Sequence, residues 1–182
     1  MSKLALAVGL AFLAGPALAQ APQPAPAPAA AGPGPSTGPS TGPLQERNVS
    51  LALALDIARG AVEACAARNL NVAATVVDRA GVVRATLRAD RAGPHTVEAS
   101  RAKAYTSASI RNATAAVAAA VEGNPAQRNL ALIPGFLVLG GGVPVRAGDE
   151  VIGAVGVGGA PTGQVDEECA TAGLERVRDQ LR

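Results

Sequence analysis

The chain has 182 residues, with 16 lysines and arginines against 14 aspartates and glutamates, and a formal net charge of +2. With so balanced a charge and no basic cluster interleaved with aromatics, a nucleic-acid partner is not expected. One tyrosine, two phenylalanines and no tryptophan leave the core to Val, Leu, Ile and Ala, with many close Gly and Ala contacts.

The first 19 residues read as a secretory signal peptide. Lys3 supplies the positive start, Leu4 to Leu13 the apolar run, and Ala17-Leu18-Ala19 the cleavage signature. The run is too short to stay in a bilayer, and no cysteine near Ala19 offers a lipid attachment point. The expected mature chain is exported, periplasmic or secreted. Residues 20–45 are uncharged and rich in Pro, Ala, Gly, Ser and Thr, the composition of an extended linker without a core of its own. Residues 46–182 then have the length of one domain.

Ser50 to Arg68 carries Leu51, Leu55, Ala58, Val62 and Cys65 in one helical stripe, with Ser50 or Asn48 as cap and Asn69 as a left-handed stop. Val72 to Val77 predicts a strand, Asp78-Arg79-Ala80-Gly81 a turn, and Val82 to Leu87 its hairpin partner. Gly93-Pro94 opens a second helix at His95 or Thr96, and a third spans about 114–121, ending at Gly123-Asn124-Pro125. A loop through Ile133-Pro134-Gly135 leads to a second hairpin, formed by Gly140 to Val145 and Glu150 to Gly158 around Arg146-Ala147-Gly148-Asp149. In Val151 to Gly158, Gly and Ala alternate with branched residues, leaving one face bare for a helix, a subunit or a ligand. The last helix starts near Gln164, with Thr162 as cap and Asp166, Glu167 and Glu168 complementing its dipole. The order helix, hairpin, helix, helix, hairpin, helix is α+β, with helices packed on an antiparallel sheet.

Chemistry is concentrated between Gly93 and Ser107, which holds the only histidine and the only tyrosine. On a helix, His95 shares a face with Ala99, Ala102 and Thr106, while Lys103 and Tyr105 lie about 80° to either side. A ligand site is expected here. Cys65 and Cys169 each fall on the apolar side of a predicted helix and could form a disulfide or be two small buried hydrophobes.

The domain resembles the GlcG/HbpS-like family, labelled haem-binding or haem-degrading. The matching pieces are Val76-Val77-Asp78-Arg79-Ala80-Gly81, Gly93-Pro94-His95-Thr96 with Lys103-Ala104-Tyr105-Thr106, Pro134-Gly135, Gly140 to Val145, Val151 to Pro161, and Asp166-Glu167-Glu168-Cys169-Ala170. The resemblance spans about residues 50–177. It implies a profilin-like fold, an antiparallel sheet of two hairpins flanked by helices. It also implies binding of haem or another tetrapyrrole, homo-oligomers from dimer to octamer and, for some secreted members, a membrane sensor partner.

On that reading His95 is the candidate metal ligand, since haem iron takes an imidazole nitrogen; the alternatives are a helix cap or a bridge between subunits. Thr96, Arg101, Lys103 and Tyr105 complete the expected cofactor-binding set. Lys103 and Arg101 would face propionates or be solvated helix charges, and Tyr105 would offer a phenolate or be a packed ring with a satisfied hydroxyl. Gly158 to Gly163 leads into a helix N-terminus and could cradle an anion, though without G-x-G-x-x-G a nucleotide is not expected. No catalytic residue is nominated, for the sequence holds no G-x-S-x-G and no metal-ligand cluster. Two other readings stand beside haem binding. One is an enzyme on a small organic substrate, with His95 as general acid/base and Lys103 as electrostatic partner. The other is a ligand-free oligomeric signalling subunit.

Overall fold

The computed structural model describes residues 41–182. The expected signal peptide and nearly all of the expected linker lie outside the described residues. Among the described residues no helix is long and apolar enough to cross a membrane.

The elements follow in the order α1 (Leu51–Ala66), β1 (Ala73–Asp78), β2 (Val83–Arg88), α2 (Thr96–Ile110), α3 (Thr114–Gly123), β3 (Gly142–Ala147), β4 (Glu150–Gly158) and α4 (Gly163–Glu175). The four strands form one antiparallel sheet in the order β2-β1-β4-β3, so the two hairpins meet through β1 and β4. This is the expected α+β architecture. The turn glycines take the positive φ the hairpins need, +81° at Gly81 and +61° at Gly148. Ser50 Oγ accepts from the Leu53 N–H, Thr162 Oγ1 accepts from the Val165 N–H, and Asn69 is left-handed at φ 59°.

One difference lies between α3 and β3. Pro125–Leu132, read as loop, is a 3-10 helix started by Asn124, whose Oδ1 accepts from the Ala126 N–H. A second concerns α1. Its buried residues are Leu53, Ala54, Ile57, Ala58, Gly60, Ala61 and Cys65, whereas Leu51 is 54 % exposed and Leu55 and Val62 are half-buried. The helix packs on the sheet and on α4 together, which buries a broad arc turned away from the leucine stripe.

The two faces of the sheet are built differently. Ala74, Val76, Val155 and Val157 point toward α1 and α4 and form the main apolar core with Ile57, Ala61, Cys65 and Cys169. Here α1 and α4 cross at glycines. A Cβ on Gly60 would lie 3.1 Å from Gly173 Cα, and one on Gly173 would lie 2.5 Å from the Ile57 carbonyl oxygen. Cys65 and Cys169 are joined by a disulfide with a Cα–Cα distance of 5.5 Å, closing the question the sequence left open. On the other face, the bare side of β4 is covered by α2. A Cβ on Gly156 would collide with the Ser100 carbonyl oxygen, and one on Gly142 with that of Lys103.

Candidate functional site

The side of α2 against the sheet is almost devoid of large apolar groups: Thr96, Ser100, Lys103, Ala104, Ser107 and Ala108 are all buried. The missing side chains of Gly142 and Gly156 let the helix backbone come close, and hydroxyls fix its register. Ser100 Oγ lies 2.8 Å from Thr75 Oγ1, which lies 3.0 Å from Thr86 Oγ1 on β2. At the C-terminal half, Thr106 Oγ1 accepts from the Leu137 N–H at 2.8 Å, tying the chain before β3 to the helix.

The charged centre of this face is Lys103. Its ammonium donates to Asp166 Oδ2 at 2.6 Å, with the two side chains only 2 % and 4 % exposed. The lysine on α2 thus meets an acid in the first turn of α4, around the end of the sheet. Asp166 Oδ1 accepts from the Ala160 N–H at 2.9 Å. The next acid, Glu167, accepts through Oε2 from the N–H groups of Ala115 and Gly141 at 3.2 and 3.3 Å. Gly141 has φ +122°, and a Cβ there would lie 3.0 Å from Lys103 Nζ and 2.8 Å from Asp166 Cβ. The pair is therefore enclosed by backbone. Lys103 is neither a solvated charge nor directed at an external anion, because an internal carboxylate takes its ammonium. In the expected anion cradle of residues 158–163, that same carboxylate takes the Ala160 N–H.

His95 lies at the N-cap of α2, exposed, with no capping hydrogen bond from its side chain. Its ring rests on Gly93, where a Cβ would lie 2.9 Å from Cε1 and 3.0 Å from Nδ1. Thr96 is buried behind it, its hydroxyl donating to the Gly93 carbonyl at 2.8 Å. Arg101 is on the outer side of the helix, paired with Glu98 at 2.9 Å. Tyr105 is a packed ring: Cβ atoms on Gly81 and Gly135 would lie 2.7 and 3.3 Å from its two edges, and Phe136 meets it edge-on at 6.0 Å between centroids. Its hydroxyl has no hydrogen-bond partner among the described residues.

The five expected residues thus divide. His95 and Arg101 reach the surface of the first two turns, Thr96 and Lys103 support that surface from beneath, and Tyr105 lies about 15 Å along the helix from His95. Asp166, read from the sequence only as a dipole-complementing acid, is the residue that joins the site to α4. Two clefts among the described residues lie elsewhere. One, of about 400 Å³, is bordered by Arg146, Leu174, Arg178 and Leu181; the other, of about 320 Å³, by Gln164, Glu167, Glu168 and Thr171.

Comparison with known proteins places the chain in a family and its fold among solved structures. A family model described as "Haem degrading protein HbpS-like" matches residues 49–175. A double mutant of HbpS from Streptomyces reticuli is similar in structure, with 38 % sequence identity, 81 % of this chain and 97 % of that one covered, and a TM-score of 0.70. An uncharacterised 15.0 kDa protein of the dhaT-dhaS intergenic region of Citrobacter freundii is 36 % identical over 123 residues, 66 % of this chain and 86 % of that protein. The crystal structure of a PduOC:heme complex shares the fold, with 22 % identity, 71 % and 94 % coverage and a TM-score of 0.64.

Proposed function

Given that the chain belongs to the HbpS-like haem-degrading protein family, we propose that it binds haem at the N-terminal end of α2, with His95 as axial ligand. The observation that carries this reading is the state of the imidazole. It is exposed, held by contact with Gly93, and neither ring nitrogen has a hydrogen-bond partner among the described residues. An imidazole so placed keeps a nitrogen open to coordinate iron. The half-buried Ala99 and Ala102 leave low relief beside it, suited to a flat macrocycle. Arg101 is the cation within reach for a propionate, at the expense of its exposed contact with Glu98.

Bound haem would supply the redox and ligand-exchange chemistry. The chain's part is to present the imidazole, position a guanidinium and exclude water from one side. The exposed His95 and the half-buried Ala99 and Ala102 offer one side of a haem site, and in this reading the opposite wall comes from a second copy. The same proposal has the chain exported after removal of residues 1–19, with residues 20–45 as linker to the 46–182 domain and a membrane sensor as the protein it serves. An enzymatic reading with Lys103 as electrostatic partner of His95 finds little support, because that ammonium is held by Asp166.

Haemin titration of the tag-free mature chain and of His95→Ala, followed by absorbance, tests the reading. A saturable, stoichiometric Soret shift that the substitution alters is expected. Identical, non-saturating spectra from both would overturn it. Following the bound spectrum under a reductant in air shows in the same experiment whether the macrocycle is degraded.

A further inference from the structure

We infer that the Asp166 carboxyl group, neutralised in its buried place by Lys103, is the positioning device of the His95 site, acting through the oxygen it offers to the loop after β4. The inference rests on the haem reading for its purpose and on contacts for its mechanics. Lys103 holds Asp166 through Oδ2, and Oδ1 of the same carboxylate holds the Ala160 N–H. Ala160 follows Gly159, whose φ is +127° and whose Cβ, if present, would lie 3.0 Å from Thr96 Cγ2 and 2.9 Å from the Asn71 carbonyl. Gly158 is as close, with a Cβ there 3.2 Å from the Thr96 carbonyl and 3.1 Å from Ala99 Cβ. The loop is thus pressed onto the first turn of α2. Thr96 in turn bonds the Gly93 carbonyl through both its hydroxyl (2.8 Å) and its N–H (3.1 Å), and Gly93 is the surface on which the imidazole rests.

The links at Lys103, Ala160 and Thr96 are hydrogen bonds, and those at Gly158, Gly159 and Gly93 are backbone approaches with no room for a side chain between. Among the described residues the lysine is the only cation in contact with Asp166, and Glu167 faces the N–H groups of Ala115 and Gly141, so the carboxylate has two partners, Lys103 and the Ala160 N–H. A pair of charges buried only to join two elements could be replaced by apolar groups at little cost. This one carries a second hydrogen bond into the loop that apolar groups cannot supply. Outer-shell partners of metal-binding histidines fix the ring's direction by hydrogen-bonding it; here packing on Gly93 takes that place.

The test uses two double variants of the tag-free chain, K103M/D166L and K103M/D166N. Both delete the ion pair, but only asparagine keeps a carbonyl oxygen for the Ala160 N–H. Because His95 is the only histidine, its Cε1 proton resonance reports the ring's setting without haem. The resonance of K103M/D166L should move and narrow toward that of an unstructured histidine, and haemin affinity should fall roughly 10- to 100-fold. K103M/D166N should restore both. If K103M/D166L keeps the wild-type resonance, or if both double variants shift it equally, the inference is overturned. Should K103M/D166L not fold, Ala160→Pro removes the N–H that Asp166 Oδ1 accepts while leaving the ion pair in place, and an unmoved His95 resonance there overturns it as well. Failure of the haem reading shows separately, as absence of a His95-dependent Soret shift in the wild type with the resonance pattern intact.

Discussion

The sheet carries its helices in two physically different ways. Toward α1 and α4 it presents branched side chains, and the contact is an apolar core closed by the Cys65–Cys169 disulfide. Toward α2 it presents mainly glycine, alanine and threonine, and a small apolar cluster of Val77, Ala104, Ala108 and Ala154 is joined there by close backbone approach and hydroxyl hydrogen bonds, with one buried ion pair tying α2 on to α4. The first kind of packing is strong but tolerant of small slides, because the hydrophobic effect has no direction. The second buries less apolar area and is directional, so it fixes register. The helix that carries His95 is held by the second kind, which suits a site that must aim one side chain.

The contrast can be broken hardest at Gly156. Gly156→Val places atoms where the Ser100 carbonyl lies, and it should abolish folding: little soluble protein and no cooperative melt by circular dichroism. A soluble variant with a wild-type melt would show that α2 can stand off from the sheet.

Next in size is the disulfide, which closes a loop of 104 residues. Replacing both cysteines by alanine should cost about 2–5 kcal/mol in denaturant unfolding while leaving the His95 resonance in place, since the staple lies on the far face. Reduction of the wild type should lower stability similarly.

Thr75→Val keeps the shape of the α2 side but removes the hydroxyl shared with Ser100 and Thr86. A loss of about 1 kcal/mol is expected, because Ser100 retains its bond to the Val97 carbonyl. Smallest of all is Arg101→Ala. Its exposed pair with Glu98 is worth about 0.5 kcal/mol or less, so Tm should hardly move. Haemin affinity should nevertheless fall and become less dependent on salt, and an unchanged salt dependence would remove Arg101 from the site.

Much of the fold was legible in the sequence because its signals are local. Gly81 and Gly148 mark turns by their need for positive φ, and Ser50 and Thr162 mark helix starts by the N–H groups left over there. The alternation of β4 showed a bare face, though not what lies on it. The inward stripe of α2 was invisible for a related reason. Thr96, Ser100, Lys103 and Ser107 recur at helical spacing, but hydrophobic periodicity has nothing to register in hydroxyls and a lysine. In α1 the same method misplaced the face, since Leu51 continues the apolar stripe in a first turn that packing leaves exposed.

The sequence by itself thus determined the order of elements, their ends and turns, and His95 at the head of α2, all through interactions between residues a few positions apart. Only the tertiary structure decided that Cys65 meets Cys169, that α2 takes the bare side of β4, and that Lys103 turns inward to Asp166. Those pairings join residues 63 positions apart for the lysine and 104 for the cysteines, and a charge or a thiol carries no local mark of a partner so distant.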